Sequence, residues 1–215
     1  MAGAAASVGR DPAGVRLVAV TKGHPLEAAE AALEAGLRDL GENRVEELEE
    51  KVSALGPGRA TWHMIGHVQS RKAARALEVA ELIHSVDSLH LGEKLSRAAL
   101  ERGAEVRVLA QVNTSGEGSK SGFGVDEAVD VVLRMAGLTH LRVDGLMTMA
   151  PLVDDEEILS STFRRLRETL EEARRHDPRV GHELSMGMTN DLEIAIREGS
   201  TMIRIGTALF GERVR

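Results

Sequence analysis

The chain has 215 residues, a formal net charge of -7, no cysteine and only 2% aromatic residues. The length suits one domain over 1–215 with a substantial core. Without cysteine there is no disulfide framework or thiolate chemistry, no apolar run is long enough to span a bilayer, and an acidic chain poor in stacking rings argues against nucleic-acid binding.

Short apolar runs alternate with helical patterns along the chain. Residues 1–12 (MAGAAASVGRDP) are rich in Ala and Gly, which leaves open a short covering helix or a disordered extension. A strand is expected over 15–21, then Lys22, Gly23 and Pro25, then a helix over 26–35 with apolar Leu26, Ala29, Ala32 and Leu33 on one side. Further strands are expected over 37–41, 62–66, 81–85, 106–112, 142–146, 182–186 and 202–206, with helices over 43–54, 70–78, 88–102, 125–136, 155–175 and 190–198. Asp126 and Asn190 are expected to cap the helices that follow them. The mixed charges of 163–175 read as a solvated helix face.

Strands alternating with helices imply β-α units and a parallel sheet. Right-handed crossovers leave an open doubly wound sheet or a closed barrel. Eight candidate strands favour a single TIM-type (β/α)8 barrel whose last helix is missing. No linker, internal repeat or second core interrupts the pattern.

Chemistry in such a barrel gathers at the carboxyl ends of the strands. The polar residues there begin with Lys22, one of five lysines. An amine at the end of a buried strand favours a neutral form, which can attack an aldehyde or ketone. Strands seven and eight end in Ser185-Met-Gly-Met-Thr189 and Arg204-Ile-Gly-Thr207. These glycine-bearing turns present backbone N–H groups, and the loops after strands seven and eight are the usual phosphate position in the fold. A phosphate there and an amine at Lys22 suit a phosphorylated carbonyl compound, either a phosphosugar or pyridoxal phosphate. For the latter, an Arg204 donor facing the ring nitrogen would keep it unprotonated and restrain carbanion chemistry.

The segments VAVTKGHP (18–25), GENRVEE (41–47), WHMIGHVQSRK (62–72), SVDS (85–88), NTSGEGSKSGF (113–123), GLMTMAP (145–151), LSMGMTNDLEIAI (184–196) and GSTMIRIGTALFG (199–211) run in order along the chain. Together they resemble the YggS/PROSC family of pyridoxal-phosphate homeostasis proteins. The resemblance implies an alanine-racemase-type barrel without that enzyme's second domain. It implies a covalent aldimine between pyridoxal 5'-phosphate and Lys22, with Ser185, Gly206 and Thr207 on the phosphate. Arg204 would face the ring nitrogen, Asn43, His63 and Met186 would line the pocket, and Lys120 matches a lysine that handles the cofactor in some members. The implied role is a cytoplasmic cofactor carrier in vitamin B6 homeostasis, without established turnover. Apo-enzymes that use the cofactor are its implied partners, and a monomer is expected because the racemase's second domain is lacking. The chain departs from the family at its short N-terminus, at His67 and at Thr189.

Two enzyme readings compete with a carrier. An amino-acid racemase on this scaffold needs a second acid/base, a tyrosine, and the chain has none, although His63 or His67 can act as a base. A Schiff-base aldolase needs a proton shuttle beside the lysine, for which Glu42 is the nearby candidate. His63-x-x-x-His67 invites a metal reading, but on a strand the spacing does not set both rings on one helical face, and no third ligand is evident. Residues 116–122 lack the order of a nucleotide-binding phosphate loop.

Overall fold

The structure, a computed structural model, describes residues 1–117 and 121–212. The strands are β1 (Arg16–Val20), β2 (Asp39–Glu42), β3 (Thr61–Met64), β4 (Leu82–Val86), β5 (Val106–Asn113), β6 (Phe123–Gly124), β7 (Leu141–Met147), β8 (Glu183–Ser185) and β9 (Met202–Ile205). All pairings are parallel, and the order β4-β3-β2-β1-β9-β8-β7-β5 closes through β4 against β5. The closed eight-stranded barrel expected from the alternating pattern is therefore present. The two-residue β6, which the sequence pattern does not announce, pairs with the end of β5.

The helices are α1 (Ala2–Ala6), α2 (Leu26–Glu34), α3 (Val45–Leu55), α4 (Ala73–Val79), α5 (Leu89–Glu101), α6 (Val125–Ala136), α7 (Glu156–His176), α8 (Leu192–Arg197) and α9 (Thr207–Phe210). Strands covered on both faces read as nearly continuous apolar runs, as 82–86 does, where every residue is buried. One apolar layer joins strands to helices, with Trp62, Phe163 and Leu166 among its buried members. Inside the barrel, Leu82, Leu109, Met147 and Met202 meet, one each from β4, β5, β7 and β9.

Several boundaries differ from the sequence expectation for local reasons. The second strand starts at Asp39, because Leu37 still closes α2: its N–H donates to the Ala32 carbonyl after Gly36 at φ +85°. The helix expected over 70–78 opens with a 3-10 turn, Ser70–Lys72. Asp126 lies in the first turn of α6, and Gly124 is the cap residue, with the Glu127 carboxylate accepting its N–H at 3.1 Å. Asp191, not Asn190, precedes α8.

The N-terminal segment forms a short helix. Ala5 packs with Val15, Ile196, Ile203 and Ile205, and Arg10 donates to the carbonyls of Ile196 and Ser200 at 2.6 and 2.7 Å. These contacts tie α1 to α8 and β9. The segment after β9 is the four-residue α9, so the last helix is abbreviated rather than missing.

Candidate functional site

Lys22 follows β1 in a tight turn. The His24 N–H donates to the Thr21 carbonyl at 3.1 Å, and Gly23 takes φ +68°. Pro25 then precedes α2 and its fixed φ suits the helix start. The lysine is half-buried and lines a cavity of about 490 Å³ at the carboxyl ends of the strands, a volume typical of small-molecule sites.

Asn43 lines the same cavity just beyond β2. Its backbone lies against the end of β3, where a Cβ on Gly66 would come within 2.3 Å of the Asn43 carbonyl oxygen. Only glycine lets those two chain ends meet there. Ile65 and Gly66 continue the wall from β3, and Gln111 from β5. Gln111 donates to the Ser121 carbonyl at 2.9 Å, which ties the loop after β5 to the strand.

The loops after β8 and β9 supply Thr189, Asn190, Gly206 and Thr207. The first loop turns at Gly187, whose φ is +98° and whose Cβ, if present, would lie 2.6 Å from that of Ala195. The Gly187 carbonyl accepts the Arg204 N–H at 2.9 Å, and the Asp191 carboxylate accepts the Met188 N–H at 2.5 Å. Thr189 thus sits on a loop held by these bonds, and Thr207 opens α9.

Arg204 reaches the cavity from β9. Its guanidinium donates to Ser185 Oγ at 2.6 Å and to the Thr148 carbonyl at 2.9 Å. Burial lowers its pKa to about 10, against the opposing charge of Asp191. It therefore remains a cation and a donor at neutral pH.

The residues expected at the site divide into two groups. Lys22, Asn43, Arg204, Gly206 and Thr207 line one cavity. His63, Ser185 and Met186 are fully buried behind its wall rather than on it. Ser185 Oγ is engaged by Arg204 and by His84 Nδ1 at 2.8 Å. His63 sits between His84, at 2.8 Å, and Asp39, at 2.9 Å. The Met186 N–H donates to the Met202 carbonyl at 3.1 Å, which holds β8 to β9. Lys120 lies outside the described residues.

Glu42 points away from the cavity. It is fully buried and accepts from the Lys51 ammonium and the Thr21 hydroxyl, each at 2.6 Å. It does not line the cavity, so the one candidate for the proton shuttle of an aldolase is not beside the Lys22 site. His67 lines the rim, exposed, with Nδ1 2.9 Å from Asp87 Oδ2. His63 and His67 occupy different layers, and among the described residues no group of three or more His, Cys, Asp or Glu is arranged to hold a metal.

Sequence reasoning missed His84, Asp191 and the segment Met149–Val153, which forms one side of the cavity mouth. A signal for His84 was present: it is the one ring-bearing polar residue in the apolar run 82–86. Asp191 had no comparable signal, since an acidic residue opening a helix is common.

A parallel barrel with an amine after the first strand and a polar loop pair after the last two defines the class of alanine-racemase-like barrels. The chain belongs to the family described as alanine racemase, N-terminal domain, over residues 6–214, and within it to the pyridoxal phosphate homeostasis proteins. It is 42% identical to the pyridoxal phosphate homeostasis protein of Pseudomonas aeruginosa over 98% of this chain and 90% of that protein. It is 36% identical to that of Escherichia coli K12 over 98% and 91%. Among solved structures it resembles PipY of Synechococcus elongatus with PLP bound, at TM-score 0.87 and 37% identity, covering 98% of this chain and 99% of that one. An alanine racemase of Clostridium difficile shares the fold, at TM-score 0.80 and 14% identity over 98% of this chain and 58% of that one.

Proposed function

We propose that this chain binds pyridoxal 5'-phosphate in the cavity at the strand ends, with a covalent Schiff-base link to the Lys22 amine, and serves as a carrier in vitamin B6 homeostasis. The observation that carries the reading is the convergence of three chemistries on one cavity. Lys22 comes from the end of β1, Arg204 from β9, and Thr189 and Thr207 from the segments after β8 and β9. An aldehyde, a ring nitrogen and a phosphate ask for those three groups. The names of the relatives and the bound ligand of PipY support the same assignment.

When bound, the cofactor supplies an electrophilic aldehyde and an electron-withdrawing ring. The chain's own residues limit what can follow. Arg204 can only donate hydrogen bonds, so it keeps a ring nitrogen that it faces unprotonated. The ring is then a weaker electron sink, which suits holding and release rather than turnover. Gly206, Thr189 and Thr207 offer N–H and O–H donors to a phosphate, and Asn43 offers an amide to the ring's substituents. Of the residues that the resemblance puts on the phosphate, Gly206 and Thr207 line the cavity wall, joined there by Thr189, while Ser185 lies behind the wall against Arg204.

A racemase is the second reading, and the chain weakens it. There is no tyrosine to serve as the second acid/base. The other titratable groups on the described wall are already engaged, His67 with Asp87 and Asp191 with the Met188 N–H. Delivery to apo-enzymes, a monomeric state and a cytoplasmic location belong to the carrier reading. Among the described residues no helix is long and apolar enough to cross a membrane.

The test is a visible absorption titration of the purified protein with pyridoxal phosphate, beside Lys22→Ala. The wild type is expected to develop a yellow band that borohydride bleaches, and the variant to lack it. Equal bands in both proteins, or none in the wild type, would overturn the assignment.

A further inference from the structure

Five side chains form a continuous hydrogen-bonded chain through the barrel interior. Arg204 Nη1 lies 2.6 Å from Ser185 Oγ, and Ser185 Oγ lies 2.8 Å from His84 Nδ1. His84 Nε2 lies 2.8 Å from His63 Nδ1, and His63 Nε2 lies 2.9 Å from Asp39 Oδ1. The residues come from β9, β8, β4, β3 and β2. Both histidines and Ser185 are fully buried, so water does not compete for these bonds.

The two ends of the chain fix the direction of every bond in it. Burial by itself would raise the Asp39 carboxyl, but the hydrogen bond from His63 and the charge of Arg16 outweigh it and hold the group below its ordinary value. Asp39 is therefore a carboxylate, which only accepts, so His63 Nε2 carries hydrogen. His84, whose burial holds its pKa well below the ordinary 6.5, carries a single ring hydrogen and donates it from Nε2 to His63 Nδ1. His84 in turn accepts at Nδ1, and the Ser185 hydroxyl donates there. That leaves a Ser185 lone pair for Arg204, which is the donor at the other end. Each donor meets one acceptor. The reverse direction would need a second ring hydrogen on the fully buried His63. It would also aim two N–H groups at Ser185 Oγ while its own hydrogen found no acceptor among the described neighbours.

We propose that Asp39, His63, His84 and Ser185 are a positioning relay that fixes the Arg204 guanidinium at the cavity floor, with Asp39 near the amino-terminal end of the barrel setting its polarity. The inference rests on the reading of Arg204 as the partner of the cofactor's ring nitrogen. Two bonds hold the guanidinium, to Ser185 and to the Thr148 carbonyl. Thr148 is itself fixed, donating to the Val112 carbonyl at 2.8 Å with its oxygen 2.9 Å from Thr114 Oγ1. With Thr148 anchored to the barrel wall, the relay supplies the other restraint, and Arg204 presents its remaining N–H groups in one orientation. Such support behind a binding residue is what holds a site to its working geometry.

The first test needs no cofactor. In the protein labelled with 15N at histidine, long-range 1H–15N spectra at neutral pH read which ring nitrogen carries hydrogen. Both His63 and His84 are expected to carry it on Nε2 and not on Nδ1. Hydrogen on Nδ1 of either ring would overturn the relay.

The second test compares Asp39→Ala and Asp39→Asn with the wild type. Asp39→Ala is expected to release pyridoxal phosphate about two- to tenfold faster, the range of one lost net hydrogen bond, with a displaced absorption band. Asp39→Asn keeps an acceptor oxygen and is expected to restore band and rate. Circular dichroism establishes that each variant is folded, and the labelled wild type stands as a test if the alanine variant is not. A folded Asp39→Ala with the wild-type band and release rate would overturn the inference, as would an asparagine variant with the wild-type ring-hydrogen pattern but no restored band. A wild type that takes up no cofactor would instead overturn the assignment of the site, leaving the histidine spectra to judge the relay.

Discussion

Lys51 donates its ammonium to Glu42 Oε1 at 2.6 Å and to the Thr21 carbonyl at 2.8 Å, one residue before Lys22. Both side chains are buried, at 8% and 0% exposure. Burial pushes the Glu42 carboxyl up, against the hydrogen bonds and charge of Lys51 and the Thr21 hydroxyl, and its second oxygen is buried without a partner. The ion pair thus clamps the end of β1 from outside the barrel and holds the turn that aims Lys22. Lys51→Met leaves the carboxylate unpaired, so urea unfolding is expected to show a loss of about 3–5 kcal/mol. Adding Glu42→Leu removes the uncompensated group and should recover more than half of it. A loss in the single variant no larger than that of an exposed pair, about 1 kcal/mol, would mean the clamp is not energetically coupled to the strand end.

Gly66 offers a test of the cavity wall itself. A Cβ there would lie 2.3 Å from the Asn43 carbonyl oxygen and 2.7 Å from its Cα. Both are backbone atoms, so no side-chain rotation relieves the contact. The ends of β2 and β3 must separate, and Asn43 moves with them. Gly66→Ala is expected to lower stability by about 1–3 kcal/mol and to weaken cofactor uptake further than that loss explains. Unfolding midpoint and titration, measured on the same preparation, separate the two effects. Unchanged uptake would remove Asn43 from the binding wall.

The barrel was legible because both of its signals are local. Strand and helix periods alternate, and glycine and proline mark the ends, as at Gly23 and Pro25. The cavity residues Lys22, Arg204, Gly206 and Thr207 were legible for a related reason, since parallel strands deliver their carboxyl ends to one face. Depth was not legible. Ser185 ends β8 and Thr189 follows it, and both carry hydroxyls, yet one lies behind the wall against Arg204 and the other lines the cavity. The pleat and the turn at Gly187 decide which, and neither is written in residue type. His63 was drawn toward the pocket by a motif, while its ring turns to His84, a contact between adjacent strands that depends on register. Glu42 was misread for the same reason: neighbouring residues on a strand point to opposite faces, and Asn43, not Glu42, faces the ligand side.

Thr189, on the loop after β8, and Thr207, at the start of α9, line the cavity with Gly206. If they hold a phosphate, removing either should weaken binding of the phosphorylated cofactor and leave its unphosphorylated counterpart untouched. Thr189→Val and Thr207→Val are each expected to raise the dissociation constant for pyridoxal phosphate about tenfold, a charged hydrogen bond's contribution, with pyridoxal unchanged. Paired absorption titrations with the two ligands measure the ratio. Equal losses for both ligands would move the phosphate elsewhere and leave the threonines a general role in shaping the wall.

His84 gives the protein a distinct response to acid. Burial above all, with the positive charges of Arg204 and Arg16 nearby, holds its pKa well below the ordinary 6.5. The unfolded chain takes up a proton near 6.5 that the folded chain refuses. The folded pKa is depressed, so this contribution to stability is present in full above 6.5 and falls away as the pH drops below it. Its slope is about 1.4 kcal/mol per pH unit for one proton. Urea unfolding of the cofactor-free protein at pH values on either side of 6.5 should show this loss. His84→Gln keeps a neutral side chain able to donate and accept but cannot charge, so it should flatten the slope while lowering stability at neutral pH. If the variant keeps the wild-type slope, the proton enters elsewhere, and His84 is not the group that is buried neutral.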